Sequence, residues 1–131
     1  MVSRPVMVDS CWYIQQAREG QDPLQQLGIL AASRDIATCG VVQAEVGRGL
    51  RVPRHLKAYR RAWSVMCWVE SNHARWEETL DLAWSLDRRG VTLPLQDIHI
   101  AVCARHIGAV VLTYDQHFQH IPGIDATDRI F

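Results

Sequence analysis

The feature that most constrains this chain is Ala109-Val110-Val111-Leu112-Thr113, a continuous apolar run that follows Gly108. A strand that is apolar at every position, rather than at alternate ones, is covered on both faces. That is the situation of a strand inside a parallel sheet flanked by helices. Two further segments suit the same sheet. Pro5 to Val8 is short and apolar and ends at Asp9-Ser10, a pair suited to cap a helix beginning near Cys11. Ile36 to Cys39 reads as another short buried strand.

Between the strands the spacing is helical. Asp22-Pro23 supplies an N-cap with proline at the first helical position, followed by Leu24, Leu27 and Leu30. Val42, Val46 and Leu50 recur every four residues, with Gly47 and Gly49 marking a frayed end, so Glu45 lies inside a helix. After Val52-Pro53 a longer helix carries Leu56, Tyr59, Trp63 and Met66, and another after Asn72 carries Trp76, Leu80 and Trp84. These two are expected to form a helical hairpin. Val91 to Leu93 is a candidate minor strand before Pro94 opens a helix containing Asp97, Ile98, Ala101, Val102 and Ile107. A helical turn near Gln116 to Gln119 and a strand near Arg129 to Phe131 complete the reading. Strand and helix alternate throughout, which predicts an α/β fold around a largely parallel sheet.

The length of 131 residues, 48% of them hydrophobic, suits one compact domain over residues 1–131, and no low-complexity stretch divides it. The N-terminal Met-Val-Ser-Arg-Pro-Val-Met-Val-Asp reaches an aspartate before it builds the apolar run of a signal peptide. No later segment is long enough to span a bilayer, so a cytoplasmic location is expected. Cys11, Cys39, Cys67 and Cys103 are isolated among apolar neighbours and read as reduced core thiols. The formal net charge is +0, which disfavours non-specific coating of nucleic acid. Its distribution is uneven, however. Arg48, Arg51, Arg54, Lys57, Arg60 and Arg61 follow one another without an intervening acid. Such a stripe suits RNA phosphates or an acidic partner segment, with surface solvation as the plain alternative; Arg48 and Arg51, nearest Glu45, are the best candidates for substrate contact.

In an open parallel sheet, ligands bind beyond the carboxyl ends of the strands. Asp9 and Asp115 each follow such an end, and Glu45 and Asp97 are expected in the first turns of helices that start on the same edge. Singly, each acid has a structural explanation as a helix cap, a dipole partner or a solvent-facing residue. Together they form a cluster of anions that repel one another unless a cation neutralises them. Oxygen ligands without a converging His or Cys set favour Mg²⁺ or Mn²⁺ over Zn²⁺, and such a site suits phosphodiester hydrolysis.

Several other features carry less. His99, Cys103 and His106 share a helix face but lack a fourth convergent ligand for zinc. His117 and His120 follow Asp115 and are expected at the surface, with proton transfer or phosphate contact as the alternative. Trp68 and Trp76 have the spacing of core or dimer packing, with base stacking as the alternative. No Gly-rich phosphate loop or nucleophile elbow is present.

Four segments, Val6-Met7-Val8-Asp9-Ser10, Val42-Gln43-Ala44-Glu45-Val46, Asp97-Ile98-His99-Ile100-Ala101 with Ala104, and Val110-Val111-Leu112-Thr113-Tyr114-Asp115-Gln116-His117-Phe118, resemble the PIN-domain ribonucleases, in particular the VapC-type toxins of bacterial toxin–antitoxin pairs. The likeness spans nearly the whole chain in the family's order, and its Leu-Thr-x-Asp-x-x-Phe element is the most distinctive part. It implies a three-layer α/β/α sandwich, Mg²⁺- or Mn²⁺-dependent cleavage of single-stranded RNA, a homodimer, and inhibition by a small antitoxin protein. By position Asp9, Glu45, Asp97 and Asp115 match the family's acidic residues, Thr113 its hydroxyl beside the last acid, and Ser10 the adjacent small hydroxyl. The region of Trp63, Trp68, Trp76 and Trp84 departs from the family in its tryptophan content. The alternatives to a toxin are a housekeeping RNA-processing nuclease of the same fold and a non-catalytic RNA-binding scaffold.

Overall fold

A computed structural model describes residues 3–129. The elements run β1 (Val6–Val8), α1 (Ser10–Arg18), α2 (Pro23–Leu30), β2 (Ile36–Cys39), α3 (Gly40–Arg48), α4 (Pro53–Trp63), β3 (Cys67–Val69), α5 (His73–Arg88), α6 (Leu95–His106), β4 (Val110–Leu112), a 3-10 turn (Gln116–His120) and β5 (Ala126–Thr127). The five strands lie in the order β3-β2-β1-β4-β5, and every pairing is parallel, with Val8 opposite Leu112 and Cys39 opposite Val69.

This order reverses direction between β1 and β4. Right-handed crossovers then place α1 to α4 on one face of the sheet and α5 and α6 on the other, giving three layers. β1 has neighbours on both sides and helices on both faces, so Val6, Met7 and Val8 are wholly buried. That explains why the strands read as unbroken apolar runs. α6 lies against β1, β2 and β4 and is buried from Asp97 through Ala104. On the other face an aromatic cluster joins α1 to α4. Tyr13, Tyr59 and Trp63 pack with centroids 5.5 to 6.2 Å apart, and the Trp63 indole N–H donates to the Tyr13 hydroxyl at 3.3 Å.

Helix starts follow the sequence signals. Asp9, Asp22 and Asn72 cap α1, α2 and α5 through their side-chain oxygens, and Pro94 directly precedes α6. The expected helical hairpin is absent, because Cys67–Val69 forms β3 against β2 and carries the chain from one face to the other. Its three residues were hidden among tryptophans at helical spacing. Val91 to Leu93 is no strand either. The Val91 amide returns to the Leu86 carbonyl at 2.9 Å, and Gly90, at φ +81°, makes the left-handed turn that ends α5.

Among the described residues the last strand is Ala126–Thr127; the expected strand near Arg129 to Phe131 falls mostly outside them. Arg129 lies outside any strand, and Ile130 and Phe131 lie outside the described residues. The expectation of four core cysteines holds for Cys39 and Cys103; Cys11 is half-buried and Cys67, on the edge strand, is exposed, all four being free thiols. Of the tryptophans in the middle of the chain, Trp63 is core, whereas Trp68, Trp76 and Trp84 are 50%, 45% and 59% exposed. Among the described residues no helix is long and apolar enough to cross a membrane.

Candidate active site

The point where the sheet reverses brings the carboxyl ends of β1 and β4 side by side. Asp9 ends β1 and caps α1: its Oδ1 accepts from the Ser10 amide at 2.9 Å, and its Oδ2 accepts from the Thr113 hydroxyl at 2.8 Å and the Cys11 thiol at 2.9 Å. The Thr113 hydroxyl in turn accepts from the Asp115 amide at 2.9 Å, so one side chain ties the two strand ends together. Asp115 then caps the 3-10 turn by accepting from the His117 amide at 2.9 Å. That turn packs on α6. As a result the His117 Nδ1 lies 2.7 Å from Asp97 Oδ2 and 3.0 Å from Asp115 Oδ1. From the other side, the Ser10 hydroxyl donates to Glu45 Oε1 at 2.9 Å.

Asp9, Asp97 and Asp115 thus stand where the sequence places them. Glu45 sits deeper in α3 than the expected first turn, and it joins the group through Ser10. Arg48 ends α3 exposed, near enough for its charge to favour ionised Glu45, and Arg51 is exposed in the connection to α4. The remaining basic residues, Arg54, Lys57, Arg60 and Arg61, are exposed along α4.

The electrostatics follow from burial. Desolvation holds the Asp9 carboxyl above its usual range, the bonds from Cys11, Thr113 and Ser10 partly offset this, and the charge of Asp115 adds to it. Asp97 is pushed up to about 6, first by burial and then by Asp115 and Asp9, against the opposing bond from His117. Glu45 is raised by burial, with Ser10 opposing and Asp9 reinforcing. The hydrogen bond to Asp97 raises His117. Burial and the neighbouring Asp9 push the Cys11 thiol up to about 12, which keeps it a protonated donor.

Asp97, Asp115 and His117 each offer one ligand atom, and these atoms lie within 4.8 Å of one another. At an effective dielectric of about 20, two charges at that distance repel by roughly 3 kcal/mol. A divalent cation would convert the repulsion into attraction, and the donor set suits one.

Sequence reasoning missed the inward placement of His117, because Asp97 is 20 residues away and only the packing of the turn on α6 brings them together. It also missed Cys11, whose placement follows from its being second after the capping Asp9. His99 is not available as a ligand. It is buried, bonded to Ser71 and Thr79 at 2.8 and 2.9 Å, and covered by Trp76, whose ring stacks on it at 3.8 Å. His106 and His120 are exposed.

The model of the PIN domain matches residues 6–124 of this sequence. The chain belongs to the PIN-domain family. Among curated PIN-domain relatives, ribonuclease VapC21 of Mycobacterium tuberculosis is 28% identical over 117 residues, covering 86% of this chain and 79% of the relative. The same PIN fold occurs in the crystal structure of VapBC2 from Rickettsia felis bound to a promoter DNA fragment, with a TM-score of 0.76 and 19% identity over 94% of this chain and 97% of that one. DNA-bound VapBC from Salmonella typhimurium gives a TM-score of 0.75 and 21% identity, covering 95% and 98%. VapC20 of Mycobacterium tuberculosis, described as a toxin that cleaves the sarcin-ricin loop, gives a TM-score of 0.62 and 17% identity, covering 85% and 90%.

Proposed function

We propose that this PIN-domain protein is a divalent-cation-dependent endoribonuclease that cleaves single-stranded RNA and serves as the toxin of a toxin–antitoxin pair. The observation that carries the reading is the convergence of Asp9, Asp97 and Asp115 at one sheet edge, with Glu45 joined through Ser10, and with burial and mutual repulsion raising Asp9, Asp97 and Glu45. Such a set is costly to keep without a purpose.

In this reading Asp9, Asp97, Asp115 and Glu45 hold Mg²⁺ or Mn²⁺. The ion supplies Lewis acidity toward a phosphoryl oxygen and acidifies water at neutral pH. The protein's part is positioning. Thr113 fixes the orientation of Asp9 and the backbone of Asp115, Ser10 turns Glu45 toward the edge, and Arg48 and Arg51 offer positive charge to flanking phosphates. The neighbouring VapBC complexes support a small antitoxin as partner and favour the toxin role over a housekeeping one. A homodimer fits the exposed Trp76, Leu80 and Trp84 on α5.

The test is cleavage of a mixed-sequence single-stranded RNA by purified protein with Mg²⁺ or Mn²⁺, beside EDTA and Asp9→Asn controls. Cleavage lost in both controls supports the reading. RNA binding without cleavage in any metal, from protein free of copurified antitoxin, would leave a non-catalytic scaffold instead.

A further inference from the structure

The geometry points to His117 as a nitrogen donor of the cation site, one that gives the site a preference for Mn²⁺ over Mg²⁺. This rests on the reading that the carboxylates hold a divalent ion. The His117 Nδ1 lies 2.7 Å from Asp97 Oδ2 and 3.0 Å from Asp115 Oδ1. Ligands on adjacent corners of an octahedron, each roughly 2.1 Å from the ion, are about 3 Å apart, so these atoms are spaced to share one cation with little movement.

The backbone prepares this arrangement. The His117 amide is bonded to Asp115, which pins the turn that carries the ring, and the turn packs on the helix that carries Asp97. Core packing does not demand the inward ring, because the side chain is 43% exposed.

Carboxylate oxygens serve Mg²⁺ and Mn²⁺ alike. Mg²⁺ prefers oxygen and water, whereas first-row divalent ions accept imidazole nitrogen. A mixed set of carboxylates and one imidazole therefore favours first-row divalent ions over Mg²⁺, and Mn²⁺, the weakest binder of that series, is the stringent probe of this preference. The competing account makes His117 only a counter-charge that stands where the ion would go. The two accounts give opposite signs when the ring is removed.

Calorimetric titration of the wild type and of His117→Ala with Mn²⁺ and with Mg²⁺ separates them. The wild type is expected to bind Mn²⁺ tighter than Mg²⁺. His117→Ala should lose about 10- to 100-fold in Mn²⁺ affinity and change less than about 3-fold for Mg²⁺. Pulsed electron paramagnetic resonance of Mn²⁺ on the wild type should show coupling to a directly bonded nitrogen, a readout that needs no variant to fold. Unchanged or tighter Mn²⁺ binding by a folded His117→Ala, or no nitrogen coupling in the wild type, overturns the role of His117 while the cation site stands. Failure of the wild type to bind either ion overturns both.

Discussion

The Thr113 hydroxyl donates to Asp9 Oδ2 at 2.8 Å while accepting from the Asp115 amide at 2.9 Å, so a single side chain sets the relative position of two carboxylates that arise from different strands. Thr113 is 5% exposed and Asp9 1%, so water cannot replace the hydroxyl easily. Thr113→Val keeps the volume and removes both bonds. We expect it to destabilise the protein by about 1–3 kcal/mol in urea unfolding. Cleavage should fall on the order of 100-fold, because small displacements of reacting groups are costly. Thr113→Ser should restore most of both, and a Val variant as active as the wild type would remove Thr113 from the positioning role.

Asp97 separates stability from function. Its carboxylate is buried beside like charges, so Asp97→Asn should raise the melting temperature of metal-free protein near neutral pH. If Asp97 holds the cation as proposed, its loss should cost more than that of an outer partner of a metal site, and cleavage should drop by at least about 100-fold. Thermal melts in EDTA paired with the RNA assay check both halves. A lower melting temperature for the Asn variant would show that the ionised group is welcome where it lies.

The pH dependence of metal-free stability has a definite sign. Asp97 rises from its ordinary 3.8 to about 6, so ionisation within the fold costs free energy; stability is full below the lower value and is lost as pH rises toward the upper one. The raised Asp9 and Glu45 act in the same direction. His117, raised above 6.5 chiefly by its bond to Asp97, contributes fully below that value and loses its contribution as pH climbs through its folded pKa. All of these predict a melting temperature in EDTA that is higher near pH 5 than near pH 8, with excess Mn²⁺ reducing the difference. A profile that rises across this interval would contradict the electrostatics of the site.

Two tryptophans should respond very differently to truncation. Trp63 is 5% exposed inside the Tyr13–Tyr59 cluster, and Trp63→Ala should cost about 3–5 kcal/mol. Trp84 is 59% exposed with the Arg88 guanidinium 4.7 Å above its ring, a contact worth roughly 1 kcal/mol or less, which bounds the loss in a monomer. A large loss at Trp84 that depends on protein concentration would locate it in a subunit interface.

The sheet and the acids were legible in the sequence because they obey local rules. Full burial makes β1, β2 and β4 read as apolar runs, and capping forces Asp9, Asp22 and Asn72 to the starts of their helices. Edges and junctions were not legible. β3 does lie in an apolar run, Val65 to Val69, but Trp63 and Met66 fit a helical period that continues into it, so the run reads as the end of the preceding helix. Val91 resembles a strand only because the turn that closes α5 needs an apolar residue after Gly90. The tryptophans on α5 obey a 3.6-residue period, but period alone does not say whether the stripe meets the core or the solvent. His117 was expected at the surface for a different reason: its partner Asp97 comes from α6, and only tertiary packing supplies that contact.

The central strand is formed by the first described residues of the chain, and its hydrogen-bonded neighbour on one side is β4, near the far end. Thr113 and Asp9 touch across 104 residues of sequence, so the carboxylate cluster depends on a long-range contact and cannot form from local structure alone. Any fragment that stops short of Thr113 therefore keeps Asp9 but lacks the hydroxyl that orients it, and the carboxylates meet only when both ends of this 104-residue span are present.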